Sequence, residues 1–232
     1  MDFKAGEVLY FDKPLGWTSF DVVNRVRWKL CREVLKEKKL KVGHAGTLDP
    51  LATGVMIVCT GKKTKDIDYY QYQTKEYVAE IRLGATTPSF DLEHPIDAEY
   101  PTEHITEELI RRVLPSFVGE IWQTPPVYSA IKVDGKRAYD YARKGEDIAI
   151  KPKLLVIDEI ELLSFVDMVM KIRVVCSKGT YIRALARDIG EALQSGAHLI
   201  SLRRTRVGNI KVEDCMNMEQ FEELLSEIKA NV

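Results

Sequence analysis

Leu154-Leu155-Val156-Ile157-Asp158-Glu159-Ile160-Glu161-Leu162-Leu163-Ser164-Phe165, followed by Met168-Val169-Met170-Lys171-Ile172-Arg173-Val174-Val175-Cys176, decides the fold class. Two long β-rich runs separated by two residues predict an antiparallel hairpin. In the second arm Met168, Met170, Ile172, Val174 and Cys176 share one face, and Lys171 and Arg173 point the other way. After Thr180 the period changes, and Ile182, Leu185, Ala186, Ile189 and Leu193 form a helical stripe. Thr180 stands where a helix cap is expected.

Outward from this hairpin the same pattern recurs. Glu7–Phe11 reads as a strand ended by Lys13-Pro14-Leu15-Gly16. Thr18-Ser19-Phe20-Asp21 fits a capping box, and Val22, Val23, Val26 and Leu30 place a helix over about 19–36. Gly43–Gly54 reads as a loop feeding the apolar strand Val55–Cys59, and Tyr77–Leu83 alternates as a strand. Ile105–Leu114 is helical. Val127–Val133 is expected as a strand closed by the hairpin signal Asp134-Gly135. A short strand near His198–Arg203 and a helix over Met218–Lys229 complete the chain. Hairpins with interspersed helices, and no strict β-α-β alternation, predict an α+β fold with a mixed, mostly antiparallel sheet.

The chain has 232 residues, 45% hydrophobic and 30% charged. That suits one large domain, or one domain with a small appendage, and excludes wholesale disorder. No apolar run approaches the roughly 20 residues of a membrane span, and the N-terminus has no signal-peptide pattern. The four cysteines, Cys31, Cys59, Cys176 and Cys215, are far apart and form no CxxC pair. They read as reduced thiols of a cytoplasmic protein, with neither a disulfide framework nor a zinc site. His94, His104 and His198 lack metal-ligand spacing.

The net charge of −1 conceals segregation. Arg27–Lys41 holds seven basic and two acidic residues, and Lys171–Arg187 holds five basic and none acidic. Lys132–Lys144 and Arg203–Lys211 are also basic. Asp91–Glu108 carries seven acids, and Glu213–Glu227 six, with no Lys or Arg in either block. A basic face on such a chain suits a nucleic acid, although charge runs are also ordinary solvated helix faces.

Three segments carry candidate chemistry. Gly43-His44-Ala45-Gly46-Thr47-Leu48-Asp49-Pro50-Leu51-Ala52-Thr53-Gly54 sets one carboxylate in a glycine- and proline-punctuated loop. Asp-Pro is equally a common turn former. Ser177-Lys178-Gly179-Thr180-Tyr181-Ile182-Arg183 places an aromatic and a guanidinium at a helix start, where an anion or a base could sit. Lys75-Glu76-Tyr77 opens a strand with an aromatic, a position also common for core tyrosines. Walker A spacing is absent.

Taken together, these segments resemble the TruB family of tRNA pseudouridine synthases. The likeness runs over about residues 7–212 and includes Asp12-Lys13-Pro14-Leu15-Gly16-Trp17-Thr18-Ser19, Tyr128-Ser129-Ala130-Ile131-Lys132 and Leu202-Arg203-Arg204. The resemblance implies the pseudouridine synthase fold and cofactor-free, metal-free isomerisation of uridine 55 in the tRNA T loop. It implies Asp49 as catalytic carboxylate, Arg183 as its ion-pair partner and Tyr77 as the aromatic packed on the target base. Tyr181 would shape the pocket, Leu202 would pack behind it, and Lys13 and Pro14 would buttress the loop. His44 would fill space vacated by flipped nucleotides, and Arg203 and Arg204 would meet the RNA backbone. The stretch Gly84–Glu93 departs from the family pattern, keeping Thr, Ser and Asp91, with Pro95 near where glycine is expected. The expected organisation is a catalytic domain over 1–212 and a short acidic helical tail over 213–232, without a separate C-terminal RNA-binding domain. The expected partner is the T arm of tRNA, bound by a monomer that needs no protein partner. A non-catalytic tRNA-binding or tRNA-folding protein, or a synthase acting on another RNA, is the alternative.

Overall fold

The computed structural model describes residues 1–133, 135–146 and 148–230. Its strands are β1 (Val8–Lys13), β2 (Val42–His44), β3 (Ala52–Thr60), β4 (Lys75–Leu83), β5 (Ala85–Thr86), β6 (Ala98–Glu99), β7 (Gly119–Gln123), β8 (Lys132–Val133), β9 (Lys136–Arg137), β10 (Lys153–Val166), β11 (Val169–Cys176), β12 (Ala197–Val207) and β13 (Ile210–Lys211). The α-helices are α1 (Ser19–Lys29), α2 (Ile67–Tyr72), α3 (Glu107–Val113), α4 (Ala138–Ala142), α5 (Ile182–Ala192) and α6 (Met218–Ala230). This is the expected α+β class, with a mostly antiparallel sheet and flanking helices. Among the described residues no helix is long and apolar enough to cross a membrane.

The chain divides into two compact units. One comprises Met1–Tyr77 and the chain from Arg203 onward, and the other is Val78–Leu202. Strands β4 and β12 pass through the boundary.

In the first unit β1 pairs antiparallel with β3, from Val8 opposite Cys59 to Lys13 opposite Gly54. Alternation along β1 turns Leu9, Phe11 and Lys13 inward. β3 is buried on both faces, which is why its sequence reads as a continuous apolar run instead of alternating. Met56 and Val58 face a core completed by Val22, Val23, Val26 and Leu30 of the α1 segment and by Phe221 and Leu225 of α6. Val55, Ile57 and Cys59 face a second cluster with Val207 and Val212. The capping box at Thr18 forms as expected: the Asp21 N–H donates to Thr18 Oγ1 at 3.0 Å, and the Thr18 N–H donates to Asp21 Oδ2 at 2.8 Å.

Two charge blocks of this unit meet each other. Glu222 pairs with Arg25 at 2.6 Å and Lys29 at 3.3 Å, and Glu33 pairs with Lys29 and Lys229 at 2.9 Å each. These ion pairs hold the Glu33 carboxyl down to about 2. Part of the basic stretch therefore pairs with the acidic helix and does not face solvent as an open charge.

In the second unit the predicted hairpin is present as β10 and β11, with register shifts between Ile157 and Glu159 and between Leu162 and Ser164. β10 pairs on its other side with β7, which the sequence pattern did not disclose. Ile182, Leu185, Ala186, Ile189 and Leu193 are buried as their spacing requires.

Several expectations are corrected. The Val127–Val133 strand shrinks to Lys132–Val133, because Tyr128 and Ser129 lie in an irregular segment whose backbone serves other contacts. β8 pairs with β9 around the predicted turn, in which Gly135 has φ 80° and Asp134 lies outside the described residues. The Gly43–Gly54 loop is trimmed at both ends, since Gly43 and His44 pair with Cys59 and Val58, and Ala52–Gly54 belong to β3. The helix over 19–36 becomes α1 plus a π-helical turn, Leu30–Val34. Thr180 does not cap α5; its hydroxyl donates to Ser177 O at 3.0 Å.

Phe11 and Phe221 meet edge to face at 5.3 Å. Replacing Phe221 by Ala should therefore lower unfolding free energy by about 3–5 kcal/mol. Urea denaturation of the purified variant checks this.

Candidate active site

The loop carrying Asp49 is irregular, with Ala45 and Leu48 buried, Asp49 half-buried and Thr47 exposed. It leaves β2 at His44 and is tied down by the Ala45 N–H, which donates to Ile57 O at 2.9 Å. The Ser19 hydroxyl both accepts from the Leu48 N–H at 2.8 Å and donates to Leu48 O at 3.0 Å. A turn closes behind the carboxylate, with the Ala52 N–H donating to Asp49 O at 3.0 Å. The Gly16 N–H donates to Pro50 O at 2.9 Å.

Two cations complete the cage. Lys13 is fully buried at the end of β1 and donates from Nζ to Trp17 O at 2.5 Å, Pro14 O at 3.0 Å and Pro50 O at 3.4 Å. Burial pushes its ammonium down to about 8, against the upward pull of the Asp49 charge. Arg204 is 2% exposed; its Nε donates to Val55 O at 2.7 Å and its Nη2 to Gly46 O at 3.1 Å. The sequence suggests two neighbouring arginines on the RNA backbone, yet Arg204 points inward as a strut of the Asp49 loop. Arg203 is partly exposed and holds Asp12 through 2.7 Å and 3.1 Å contacts, with Thr53 Oγ1 at 3.1 Å.

His44 sits at the loop entrance with a buried Nδ1 that has no hydrogen-bond partner among the described residues. Burial is the main cause holding its imidazole below the ordinary histidine range; the Arg204 charge adds to this and the Gly46 backbone opposes it. It is thus predominantly neutral at neutral pH. Tyr77, 8% exposed, lies on the inward face of β4. Pro14 accepts from Lys13 and fixes the turn after β1.

In the second unit Arg183, in the first turn of α5, is 4% exposed. Its Nη1 donates to Ser89 O at 3.1 Å and its Nη2 to Tyr128 O at 2.9 Å, and its Nε lies 3.7 Å from Asp91 Oδ2. Asp91 Oδ1 in turn accepts from Ser89 Oγ at 2.6 Å and the Glu93 N–H at 3.0 Å. The intervening Phe90 has φ 62°, a left-handed conformation that costs a non-glycine residue roughly 1–3 kcal/mol. The Arg187 guanidinium stacks 5.0 Å from its ring, and the Leu199 N–H donates to Phe90 O at 2.9 Å, which together hold it there. The departure from the family pattern at Gly84–Glu93 therefore retains a buried carboxylate beside Arg183.

Tyr181 owes its place to Gln123, which sequence reasoning missed. The Tyr181 N–H donates to Gln123 Oε1 at 2.9 Å, and Gln123 Nε2 donates to Tyr181 O at 3.2 Å. This side-chain clamp does the work expected of a Thr180 cap. A polar amide just before Thr124-Pro125-Pro126 was the available signal. Leu202 is half-buried on β12. Of the expected site residues, Lys13, Pro14, His44, Asp49, Tyr77, Arg203 and Arg204 thus belong to the first unit, and Tyr181, Arg183 and Leu202 to the second. Among the described residues no group of three or more His, Cys, Asp or Glu could hold a metal ion.

Two measurements probe this cage. Gly54 has φ 106°, and a Cβ there would stand 2.1 Å from Arg204 O. Gly54→Ala should cost about 2 kcal/mol or more and depress activity with it, as thermal melts and turnover will show. The lowered amine of Lys13 destabilises the fold while protonated. Because Lys13 keeps its proton to about pH 10.5 in the unfolded chain and only to about 8 in the folded one, its contribution to stability should rise with pH between those values, read as the difference between wild-type and variant melts. That rise should vanish from the melting curves of Lys13→Met.

The description "TruB family pseudouridylate synthase (N terminal domain)" matches residues 32–182, and "tRNA pseudouridylate synthase B C-terminal domain" matches residues 183–231. A tRNA pseudouridine synthase B of Bacteroides fragilis is 70% identical over 227 residues, covering 98% of this chain and 97% of that protein. One from Flavobacterium johnsoniae is 51% identical, covering 97% and 98%. Among solved structures, a Cbf5-Nop10-Gar1 complex aligns with a TM-score of 0.69 at 32% identity over 94% of this chain. An archaeal box H/ACA sRNP Nop10-Cbf5 complex aligns with a TM-score of 0.70 at 29% identity over 99% of it. The chain spans only about half of those two longer chains, 53% and 56%. With the family models covering nearly its whole length and relatives this similar, the chain belongs to the TruB family of pseudouridylate synthases.

Proposed function

We propose that this protein converts uridine 55 in the T loop of tRNA to pseudouridine, working as a cytoplasmic monomer with Asp49 as its catalytic carboxylate. The observation that carries the reading is the Asp49 loop itself: a single acidic side chain on a backbone pinned by Ser19, Lys13 and Arg204. Preorganisation of this kind favours a reacting group that must meet its target atom within a fraction of an ångström.

The reaction is an isomerisation. The bond from C1′ to N1 breaks, a bond from C1′ to C5 forms, C5 loses a proton and N1 gains one, so composition is unchanged. Asp49 acts on this sequence as nucleophile or as base. Its target lies inside a folded loop, and swinging the nucleotide out costs roughly a few kcal/mol. Stacking on Tyr77 offsets about 1–3 kcal/mol of that. Tyr181 and Leu202 bound the base, and His44, neutral and with an unsatisfied Nδ1, occupies space the nucleotides leave.

We further propose Arg183 as the ion-pair partner of Asp49. An arginine suits this role because its guanidinium stays charged and its fork can hold both oxygens of a carboxylate. Lys13 adds a second positive charge on the Asp49 side.

Asp49→Asn should bind an unmodified T-arm stem-loop with about the wild-type Kd and form no pseudouridine, by tritium release from 5-tritiated uridine. Retained turnover in that variant would overturn the assignment. Wild-type protein that binds tRNA but never modifies it would point instead to a tRNA-folding role.

A further inference from the structure

We propose that the segment Lys36–Lys41 is an additional contact surface for the phosphate backbone of the RNA substrate, separate from the residues that meet the reacting nucleotide. The inference rests on the proposed activity only for the choice of RNA. Its geometry lies wholly in the first unit.

Beyond α1 the helix loosens into the π turn Leu30–Val34 and stops at Lys36, whose φ is 54°. The Leu35 N–H donates to Leu30 O at 2.9 Å and the Glu37 N–H to Cys31 O at 3.0 Å, closing the helix end. Val34 on one side and Leu40 on the other pack against the core of Phe11, Val26, Leu30 and Phe221. The lysines between them are therefore displayed on an anchored backbone.

The acids that would neutralise this run are engaged elsewhere. Glu37 is ion-paired with Lys4, and Glu33 with Lys29 and Lys229. Lys36, Lys38, Lys39 and Lys41 are all exposed, and among the described residues none pairs with a carboxylate. Lys36 donates to Arg32 O at 3.3 Å. Four like charges within six residues repel one another, and a polyanion relieves that repulsion. Lysine, a compact charge without the planar fork of arginine, suits phosphates read without regard to sequence. The run is also close in chain to the catalytic loop: Lys41 is followed directly by β2, whose three residues span about 10 Å before the Asp49 loop begins. An acidic protein surface would satisfy the same charges, but only RNA is also the partner of the adjoining loop.

The test compares wild type with Lys38→Glu/Lys39→Glu and the milder Lys38→Gln/Lys39→Gln. Affinity for unmodified full-length tRNA would be measured from 50 to 200 mM salt, alongside kcat and KM for pseudouridine formation. The charge-reversed variant should raise Kd about tenfold at the lowest salt and flatten the log–log salt slope by about 0.7–0.9 for each phosphate no longer neutralised. kcat should stay within about twofold, and the Gln pair should fall between. Melting curves verify folding; if the Glu pair unfolds, the Gln pair carries the reading. An unchanged Kd and slope would overturn the proposal, as would a defect confined to kcat. Wild type that binds tRNA without modifying it would instead defeat the proposed activity and leave this comparison readable.

Discussion

The capture of backbone carbonyls by two buried cations is what the Asp49 loop depends on. An irregular segment leaves its C=O groups without the partners a helix or strand supplies, and each buried unsatisfied group costs about 1–3 kcal/mol. Within the loop Arg204 answers Gly46 and Lys13 answers Pro50, and the same two cations hold Val55 of β3 and Pro14 and Trp17 of the turn after β1. Taking these charges out of water is expensive, and the lowered ammonium of Lys13 records what remains of that cost. The gain is a loop whose conformation is fixed by charge-assisted bonds as well as by the buried Ala45 and Leu48, while its one carboxylate remains partly exposed.

A similar logic organises the other unit. Arg183 and Arg187 are one turn apart on α5; the first binds carbonyls of Ser89 and Tyr128, and the second binds Thr124 O and covers the Phe90 ring. Two loops far apart in sequence are thereby drawn to one helix face. Phe90 holds a conformation that the chain alone would avoid, which is sustained because neighbours on several sides over-determine it. Asp91 and Ser89 flank it directly, so the strain lies beside the guanidinium.

Legibility followed the range of the interactions. The β10–β11 hairpin, the α1 capping box and the α5 stripe rest on local periodicity and were readable. β7 was not, because its inward and outward residues, Glu120, Ile121 and Trp122, give no alternation, and its place is set by pairing with β10. Thr180 has the local context of a cap, while the group that holds Tyr181 is 58 residues away. Arg203 and Arg204 are indistinguishable as letters. Strand alternation separates them, with one side chain on Asp12 and the other interior. The Asp49 loop was recognisable as a motif, but the reason for its rigidity was not, since Ser19, Lys13 and Arg204 reach it from three other elements.

One unit is assembled from both ends of the polypeptide, with Val78–Leu202 intervening. On a ribosome adding roughly 5–20 residues per second, the strut Arg204 emerges about 6–25 s after Tyr77. Until then β3 lacks its β12 neighbour and the core lacks Phe221, so the nascent N-terminal region is without part of its native packing. Chains that stop before Arg204 lack one of the two cations that hold the Asp49 loop, so its full set of tethers exists only once β12 has been made.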